Sequence, residues 1–295
     1  MDHLLIINEL QRLNLKTVPL DVVRGIMKRL EKFGVIVTIL PAGKKIIRAR
    51  LSEAKPFENI TQLNYKPQQY NKTFQRASTP EQTMFYGSIV PESIGNGEPS
   101  SARYTILFEV SEFVRDLHSI GEQDITFSAW EVTENIELVS VLHHKNFKRP
   151  TRLSIEFQEA FQKQFKHTPH DKVVSLDIST FLGAEFAKDS ILHHSDYTLS
   201  ATYANLITHN YDGVLYPSVR LAGEGINVAI KPSSVDTKLN FMGASECTIY
   251  KNGKSVFVGA NTKAIILKHG DLKFIPEESQ FAVSKAMGRY QVGLL

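Results

Sequence analysis

The stretch that decides the fold is YDGVLYPSVRLAGEGINVAI, residues 211–230. Its Asp212-Gly213 step is typical of a turn, and the apolar, β-branched and aromatic run at 214–216 predicts a short buried strand. Pro217 has no N–H to donate to a sheet, so we expect the strand to end there. Ser218 therefore comes where a strand stops and the chain opens.

Ser218 has two interpretations at this point. Residues 221–225 form a glycine-containing loop, and residues 226–230 predict a second strand. A hydroxyl between a strand end and such a loop is well placed to contact a ligand. A serine also caps turns with its side chain, and this window alone favours that structural role.

Length and composition are those of an ordinary globular chain. The 295 residues are 42% hydrophobic and 22% charged, which allows one big domain or one domain with extensions. The net charge of +3 gives no reason to expect direct nucleic-acid binding. The single cysteine, Cys247, excludes an intrachain disulfide framework and fits a reducing cytoplasm. The first residues lack a basic signal-peptide region and no stretch has the length of a membrane span, so we expect a cytoplasmic protein without a membrane partner.

The N-terminal part predicts two helices followed by a hairpin. Apolar residues recur at helical spacing between residues 4 and 33, and Gly34 ends that pattern. Residues 35–40 and 45–51 predict two strands joined by a turn. In the second strand Arg48 and Arg50 share one face, and burying an arginine there is costly unless an anion meets it. The alternative is an exposed pair of arginines on a hairpin.

Residues 74–86, FQRASTPEQTMFY, place an arginine near a turn and an aromatic run after it. Arg76 and Tyr86 carry the binding chemistry of this window, because a guanidinium group can hold a phosphate bidentately and an aromatic ring can stack on a base. Taken alone, the window favours a surface arginine and a core tyrosine. The glycine, proline and serine residues of 87–101 predict a loop.

Residues 102–117 predict a helix with an apolar stripe. Glu109 lies beside that stripe, and Glu112 is the competing carboxylate one turn on. A carboxylate at the edge of a helix is usually solvated, so the helix alone gives neither of them a role. Further along, residues 125–132 and 136–142 predict strands, residues 177–187 a helix, and Asn252-Gly253 a hairpin turn between two strands.

Other classes of site lack their motifs. The histidine pairs at 143–144, 167 and 170, and 193–194 have no metal-ligand spacing with a partner carboxylate, so no metal site is predicted. Gly223-Glu224-Gly225 lacks the third glycine and the strand-to-helix setting of a dinucleotide fingerprint. The sequence contains no Walker motif, and no serine lies in a G-x-S-x-G elbow.

The stretches 74–86, 102–117 and 211–230, in this order along the chain, resemble the RES domain family, which is named for an arginine, a glutamate and a serine. Arg76 and Tyr86 match the arginine and tyrosine of the family pattern, and Glu109 matches its glutamate. Ser218 and Asn227 match the serine after a strand and the asparagine in the next strand. The resemblance covers roughly residues 45–232.

Two departures from the family pattern flank Arg76. Gln75 stands where the family has a glycine, and Ser78 where it has an asparagine. Arg48 matches the basic residue that RES-like and other ADP-ribosyltransferase-like sites often carry on their first strand, better than Arg50 does. The resemblance implies an α+β, ADP-ribosyltransferase-like fold of mixed or antiparallel sheets flanked by helices.

The family boundaries suggest a division of the chain into three parts. Residues 1–34 form an N-terminal helical extension, residues 35–232 the RES domain, and residues 233–295 a β-rich C-terminal extension.

The resemblance also implies a function. RES domains consume NAD+ by hydrolysis or phosphorolysis, with phosphate as co-substrate in the second case, and act as toxins that a helix-turn-helix antitoxin neutralises. Glu109, Arg76 and Ser218 then have catalytic roles, and Arg48, Tyr86 and Asn227 bind NAD+. Two alternatives stay open, a protein ADP-ribosyltransferase and a non-catalytic module that binds a nucleotide or a partner. Partnership with an antitoxin and assembly into a homo-oligomer also stay open.

Overall fold

The computed structural model describes residues 3–30, 33–52, 55–92, 101–141, 151–164 and 169–276. They form a large mixed sheet flanked by helices, which confirms the predicted α+β class. The strands are Ile36–Leu40 (β1), Lys45–Leu51 (β2), Phe85–Ile89 (β3), Ile120–Val132 (β4), Ile136–Ser140 (β5), Gly213–Pro217 (β6), Ile226–Ile230 (β7), Leu239–Asn252 (β8), Ser255–Ile266 (β9) and Leu272–Pro276 (β10). The helices are His3–Gln11 (α1), Leu20–Lys28 (α2), Ala102–Val110 (α3), Glu112–Arg115 (α4), Arg152–Gln164 (α5), Pro169–Phe186 (α6), Thr198–Ile207 (α7) and Pro232–Lys238 (α8).

The strands lie in the order β1-β5-β6-β7-β3-β2-β4-β8-β9-β10. Neighbours pair antiparallel, except β5 and β6, which pair in parallel. Strand β8 pairs with β4 over most of its length, so β8 to β10 continue the sheet that holds β1 to β7. The division at residues 34 and 232 stays a prediction, and residues 277–295 of the C-terminal part lie outside the described residues.

The sheet is nearly interrupted between β2 and β3. These strands share one residue pair, Ile47 with Ser88, whereas β2 and β4 share seven. Continued antiparallel pairing would set Tyr86 opposite Ala49, but there the strands have already separated. The gap that opens between them leads to the cavity described below.

Apolar side chains of the described residues pack in three clusters. One lies between α1, α2, α6 and α7 and one face of the strands around β6. The second packs α5 and α8 against the opposite face and contains Phe85, Trp130 and Phe241. The third joins α3 and α4 to β2, β4 and β8. Because α3 sits over the diverging part of β2, it forms one wall of the gap.

Three features differ from the sequence predictions. The hairpin predicted from residues 35–40 and 45–51 does not form, because β1 pairs with β5 whereas β2 pairs with β3 and β4. The helix predicted over 102–117 is divided at Ser111, which is extended (φ −107°, ψ 109°) and accepts a hydrogen bond from the Val114 N–H, so that α4 starts there. The loop predicted from residue 87 starts instead after Ile89, because Gly87 and its neighbours belong to β3. A side chain at Gly87 would lie 2.5 Å from Ile46, so the glycine serves close packing rather than a turn.

The Asp212-Gly213 step does more than turn the chain. Asp212 is 7% exposed and accepts hydrogen bonds from Ser234 Oγ at 2.6 Å, Glu137 N–H at 2.8 Å and Lys238 Nζ at 2.8 Å. Burial alone would raise the pKa of this carboxyl, but the donors, with Lys238 first, lower it below the ordinary value. The carboxylate thereby joins the starts of β5 and β6 to helix α8.

Glycine 213 has a steric role that a pair of substitutions measures. A Cβ at residue 213 would lie 2.0 Å from the Ala229 carbonyl oxygen, while a Cβ at Gly25, inside α2, would meet no atom within 4 Å. We expect Gly213→Ala to lower the free energy of unfolding by about 1–3 kcal/mol or more, because backbone must shift. We expect Gly25→Ala to raise it by about 0.5–1 kcal/mol through helix propensity. Urea denaturation of both variants measures this, and equal effects would contradict the packing around β6 and β7.

The Asp212 contacts predict a pH-dependent stability. Since the pKa of Asp212 is lower folded than unfolded, its stabilisation is present above the ordinary value, about 3.9, and is lost as the pH falls through the folded value. Asp212→Asn should cost about 1–3 kcal/mol at pH 7. The difference from the parent should shrink at acid pH, as the parent carboxylate protonates. Asp21→Asn, at a side chain 86% exposed, is the control and should change little; a pH-independent loss in Asp212→Asn would rule out the charge as its cause.

Candidate functional site

A cavity of about 340 Å³ lies where β2 and β3 diverge. Among the residues lining it are Arg48, Arg76, Tyr86, Glu109 and Asn227, five of the six that the sequence pointed to. The sixth, Ser218, is fully buried directly behind Glu109. The remaining lining residues are Ala49, Gln75, Gly87, Ile106, Val110, Tyr197, Tyr216 and Arg220. The fold thus brings residues from five separate parts of the chain to one place, while the roles assigned to them stay predictions.

Glu109 is held by two hydrogen bonds to a single oxygen. Its Oε1 accepts from Ser218 Oγ at 2.5 Å and from Asn227 Nδ2 at 2.9 Å. Asn227 is fixed in turn, because its Oδ1 accepts from Ser88 Oγ at 2.6 Å. No described residue donates a hydrogen bond to Glu109 Oε2. One carboxylate oxygen is therefore anchored to the sheet, and the other is left for a partner in the cavity.

The loop between Ser218 and Asn227 keeps these donors in place. The Ser218 N–H donates to the Gly225 carbonyl at 2.9 Å, and the Gly223 N–H donates back to the Ser218 carbonyl at 2.8 Å. Gly225 has φ +77°, and a Cβ on it would lie 2.4 Å from the Thr105 hydroxyl of α3. Only glycine fits both the backbone and the contact with α3, so the loop, the helix and Glu109 are packed as one unit.

Arg48 occupies the gap between β2 and β3. Its Nη1 donates to the Tyr86 carbonyl at 2.8 Å, the oxygen that a continued ladder would have paired, and its guanidinium group lies 5.2 Å from the centre of the Phe85 ring. Its Nε is buried and meets no acceptor among the described residues. Burial, followed by the charge of Arg50, lowers the pKa of Arg48 to about 10. The Arg48 cation thus has no hydrogen-bonded carboxylate partner among the described residues.

Arg76 and Tyr86 are fixed by their surroundings. Arg76 is 7% exposed; it donates to the carbonyls of Phe186 and Lys188, and its guanidinium group lies 5.0 Å from the centre of the Tyr197 ring. The Tyr86 hydroxyl accepts from the Ala77 N–H at 3.0 Å and bonds to Ser78 Oγ at 2.8 Å. Burial raises the pKa of Tyr86 to about 12. Ser78, one of the departures from the family pattern, thus binds the matched tyrosine directly.

The two competing residues lie elsewhere. Arg50 lies near the end of β2, where it donates to the Gln62 carbonyl and its guanidinium group lies 5.3 Å from the centre of the Phe57 ring. The Glu112 side chain is 94% exposed and lies 3.7 Å from Arg115. Neither of them lines the cavity.

Sequence reasoning missed Tyr197, Tyr216 and Arg220. Arg220 lies within residues 211–230, two residues after Ser218. An arginine in a glycine-containing loop is unusual, and this could have marked it as a candidate binding residue. Tyr216 lies on β6, which the sequence predicted as a buried core strand without a role at a site. Burial raises the pKa of Tyr216 well above the ordinary value. Tyr197 comes just before α7, where no pattern linked it to Arg76.

Several other features complete the description of the molecule. Among the described residues, no group of three histidine, cysteine, aspartate or glutamate side chains could hold a metal ion. His143, His144 and His167 lie outside the described residues.

None of the described helices combines the length and the apolar character needed to cross a membrane. A larger cavity, of about 460 Å³, lies between α2 and α7, but its lining is mostly apolar.

Comparison of the sequence with known protein families and with characterised proteins finds no match.

The anchoring of Tyr86 makes a prediction that needs no ligand. Tyr86→Phe removes the acceptor of the buried Ala77 N–H, so we expect it to lower the free energy of unfolding by about 1–3 kcal/mol. Tyr70, whose side chain is exposed, provides the control, and Tyr70→Phe should be neutral within about 0.5 kcal/mol. Urea denaturation compares the two. Equal stability of the Tyr86→Phe and Tyr70→Phe variants would mean that the hydroxyl of Tyr86 is not bonded as described.

Proposed function

We propose that this protein binds NAD+ in the cavity and cleaves the bond between nicotinamide and ribose, with an ADP-ribosyltransferase-like arrangement of its sheet and helices. One observation carries the proposal. Glu109, a carboxylate with one anchored and one free oxygen, lines a cavity that also contains three arginines and three tyrosines. Anionic phosphates suit the arginines, aromatic rings suit a base, and a fixed carboxylate suits the positive charge that develops on ribose.

Glu109 is the residue assigned to the chemical step. When the glycosidic bond breaks, its electron pair leaves with the nicotinamide nitrogen, so the base departs neutral and the ribose acquires oxocarbenium character. The Glu109 carboxylate stabilises that charge and can accept a hydrogen bond from a ribose hydroxyl at Oε2. The oxygen of water then bonds to the anomeric carbon and a proton is released, which gives ADP-ribose.

Ser218 and Asn227 are positioning residues in this scheme. Both donate to Oε1, so the carboxylate cannot rotate towards the arginines of the cavity without losing two hydrogen bonds. Such preorganisation makes electrostatic stabilisation effective, because little reorganisation is needed as charge develops. The RES resemblance supports the same assignment, since the glutamate, the serine and the asparagine are three of its matched positions.

The arginines supply the binding energy of the proposed complex. Arg48 has a buried Nε without an acceptor and a lowered pKa, so an anion beside it would relieve the cost of its burial. Tyr86 and Tyr197 also line the cavity, and aromatic rings can stack on a base. This combination fits a dinucleotide better than a neutral metabolite.

A product analysis tests the proposal and separates its versions. The purified protein is incubated with NAD+, with and without phosphate, and the products are separated by chromatography. Release of nicotinamide with ADP-ribose indicates hydrolysis, ADP-ribose 1-phosphate indicates phosphorolysis, and ADP-ribose attached to protein indicates transfer. Binding of NAD+ without nicotinamide release would favour the non-catalytic module. A toxin role and an antitoxin partner stay predictions that depend on the first result.

Glu109→Gln tests the carboxylate itself. The substitution keeps size and hydrogen-bonding capacity but removes the charge, so we expect nicotinamide release to fall by roughly 10²- to 10³-fold while NAD+ still binds. Glu112→Gln is the matched control, three residues away on an exposed side chain, and should retain parental turnover. An active Glu109→Gln variant beside an inactive Glu112→Gln variant would move the role to Glu112.

A further inference from the structure

We propose that Arg220 is the specificity-determining residue of the cavity and that it selects ligands carrying a pyrophosphate, held between the guanidinium groups of Arg220 and Arg76. This inference rests on the proposed function, since it concerns the same cavity, and it assigns the phosphates of the ligand to two particular residues. No motif in the sequence assigns a role to Arg220, and the matched RES positions do not include it.

Arg76 alone is poorly suited to grip a phosphate. Its Nη1 and Nη2 already donate to the carbonyls of Phe186 and Lys188, and one face of its guanidinium group is covered by the Tyr197 ring. Because Arg76 is only 7% exposed, most of its side chain packs in the wall of the cavity and little of it can contact a ligand. A second cation with more free donors is therefore needed to bind two phosphates.

Arg220 has those free donors. It lines the cavity, is half-buried, and makes one hydrogen bond within the described part of the chain, from Nη1 to the Asp189 carbonyl at 3.2 Å. Among the described residues, no carboxylate forms an ion pair with it within 4.0 Å. The exposed Asp189 side chain is nearby, but its pKa is lowered mainly by a hydrogen bond from Ser190, and Arg220 is the smallest of the contributions. Most of the five guanidinium N–H groups of Arg220 remain available.

Arg76 and Arg220 are attached to the same short segment of chain. Arg76 binds the carbonyls of residues 186 and 188, and Arg220 binds that of residue 189. The two guanidinium groups therefore flank one wall of the cavity. Two neighbouring arginines, each able to make paired N–H bonds, match the two linked phosphates of a pyrophosphate.

The surrounding charge supports an anion at this wall. Arg115 donates to the carbonyls of Phe108 and Glu109, and its pKa is lowered by burial and then by the charge of Arg220. Two carboxylates act on Arg115 in the opposite direction, Glu112, which is 94% exposed and 3.7 Å away, and Glu109, but they compensate less than burial and Arg220 together. Positive charge therefore accumulates beside Arg220, and a doubly charged ligand would reduce the repulsion.

The test measures binding of two probes, ADP-ribose and inorganic pyrophosphate, by calorimetry. Arg220→Ala should weaken both by at least about tenfold, since hydrogen bonds between charged groups are lost. Arg220→Lys should lie between this variant and the parent, because lysine keeps the charge but loses the fork. Arg29→Ala, at an arginine paired with Glu9 on the N-terminal helices, is the control and should bind as the parent does. Thermal melting checks the fold, and Arg220→Gln replaces Arg220→Ala if the latter melts early.

Each outcome bears on one claim or the other. Parental affinity of the Arg220 variants for both probes overturns the inference and returns the phosphates to Arg76 and Arg48. A parent protein that binds neither probe overturns it as well. If the parent binds both probes through Arg220 yet releases no nicotinamide from NAD+, the inference stands and the proposed reaction fails.

Discussion

The hydrogen bonds from Ser218 and Asn227 to Glu109 join helix α3 to strands β6 and β7 at the site. A carboxylate at the end of a helix would ordinarily turn to solvent, and Glu112 does so a few residues away. Glu109 instead points inward because Ser218, directly after β6, and Asn227, at the start of β7, present two donors to the same oxygen. The anchoring depends on Ser88, which fixes the Asn227 amide, and on the tight loop that Gly225 permits against Thr105. Three strands and a helix thus determine the position of one side chain.

The cavity concentrates positive charge that the protein compensates mainly with neutral groups. Arg76 and Arg220 rely on backbone carbonyls, and Arg48 on a carbonyl and an aromatic ring. Carbonyl dipoles stabilise a guanidinium group without neutralising it. The site therefore keeps its attraction for anions, which two or three salt bridges in the same places would have cancelled.

Much of this could be predicted from the sequence, and the limits have physical causes. The strand ending at Pro217, the strand holding Asn227 and the strand carrying Arg48 follow from local patterns, and the structure has them. The pairing of β1 with β2 as a hairpin was wrong, because the partners of these strands, β5 for β1 and β3 and β4 for β2, come from distant parts of the chain. Ser111 divided a helix because one extended residue with a capping hydroxyl outweighed a continuous apolar stripe. Gly87 lies in a strand because of a contact with Ile46, forty-one residues away in sequence, that no local pattern encodes. The same holds for Arg220 and Tyr197, whose relevance comes from which carbonyls and rings surround them.

The single residue pair between β2 and β3 has a mechanical consequence. On one side of it β3 and β7 are joined by five residue pairs, and on the other side β2 and β4 are joined by seven. Because few hydrogen bonds connect β2 and β3, we expect the sheet to bend most easily between these two strands. Arg48 lies on β2, on one side of this connection, while Arg76 and the Ser218 loop lie on the side of β3, β7 and β6. Any change in the angle between these two parts of the sheet would change the width of the cavity, and a molecule that touched both parts would oppose such a change.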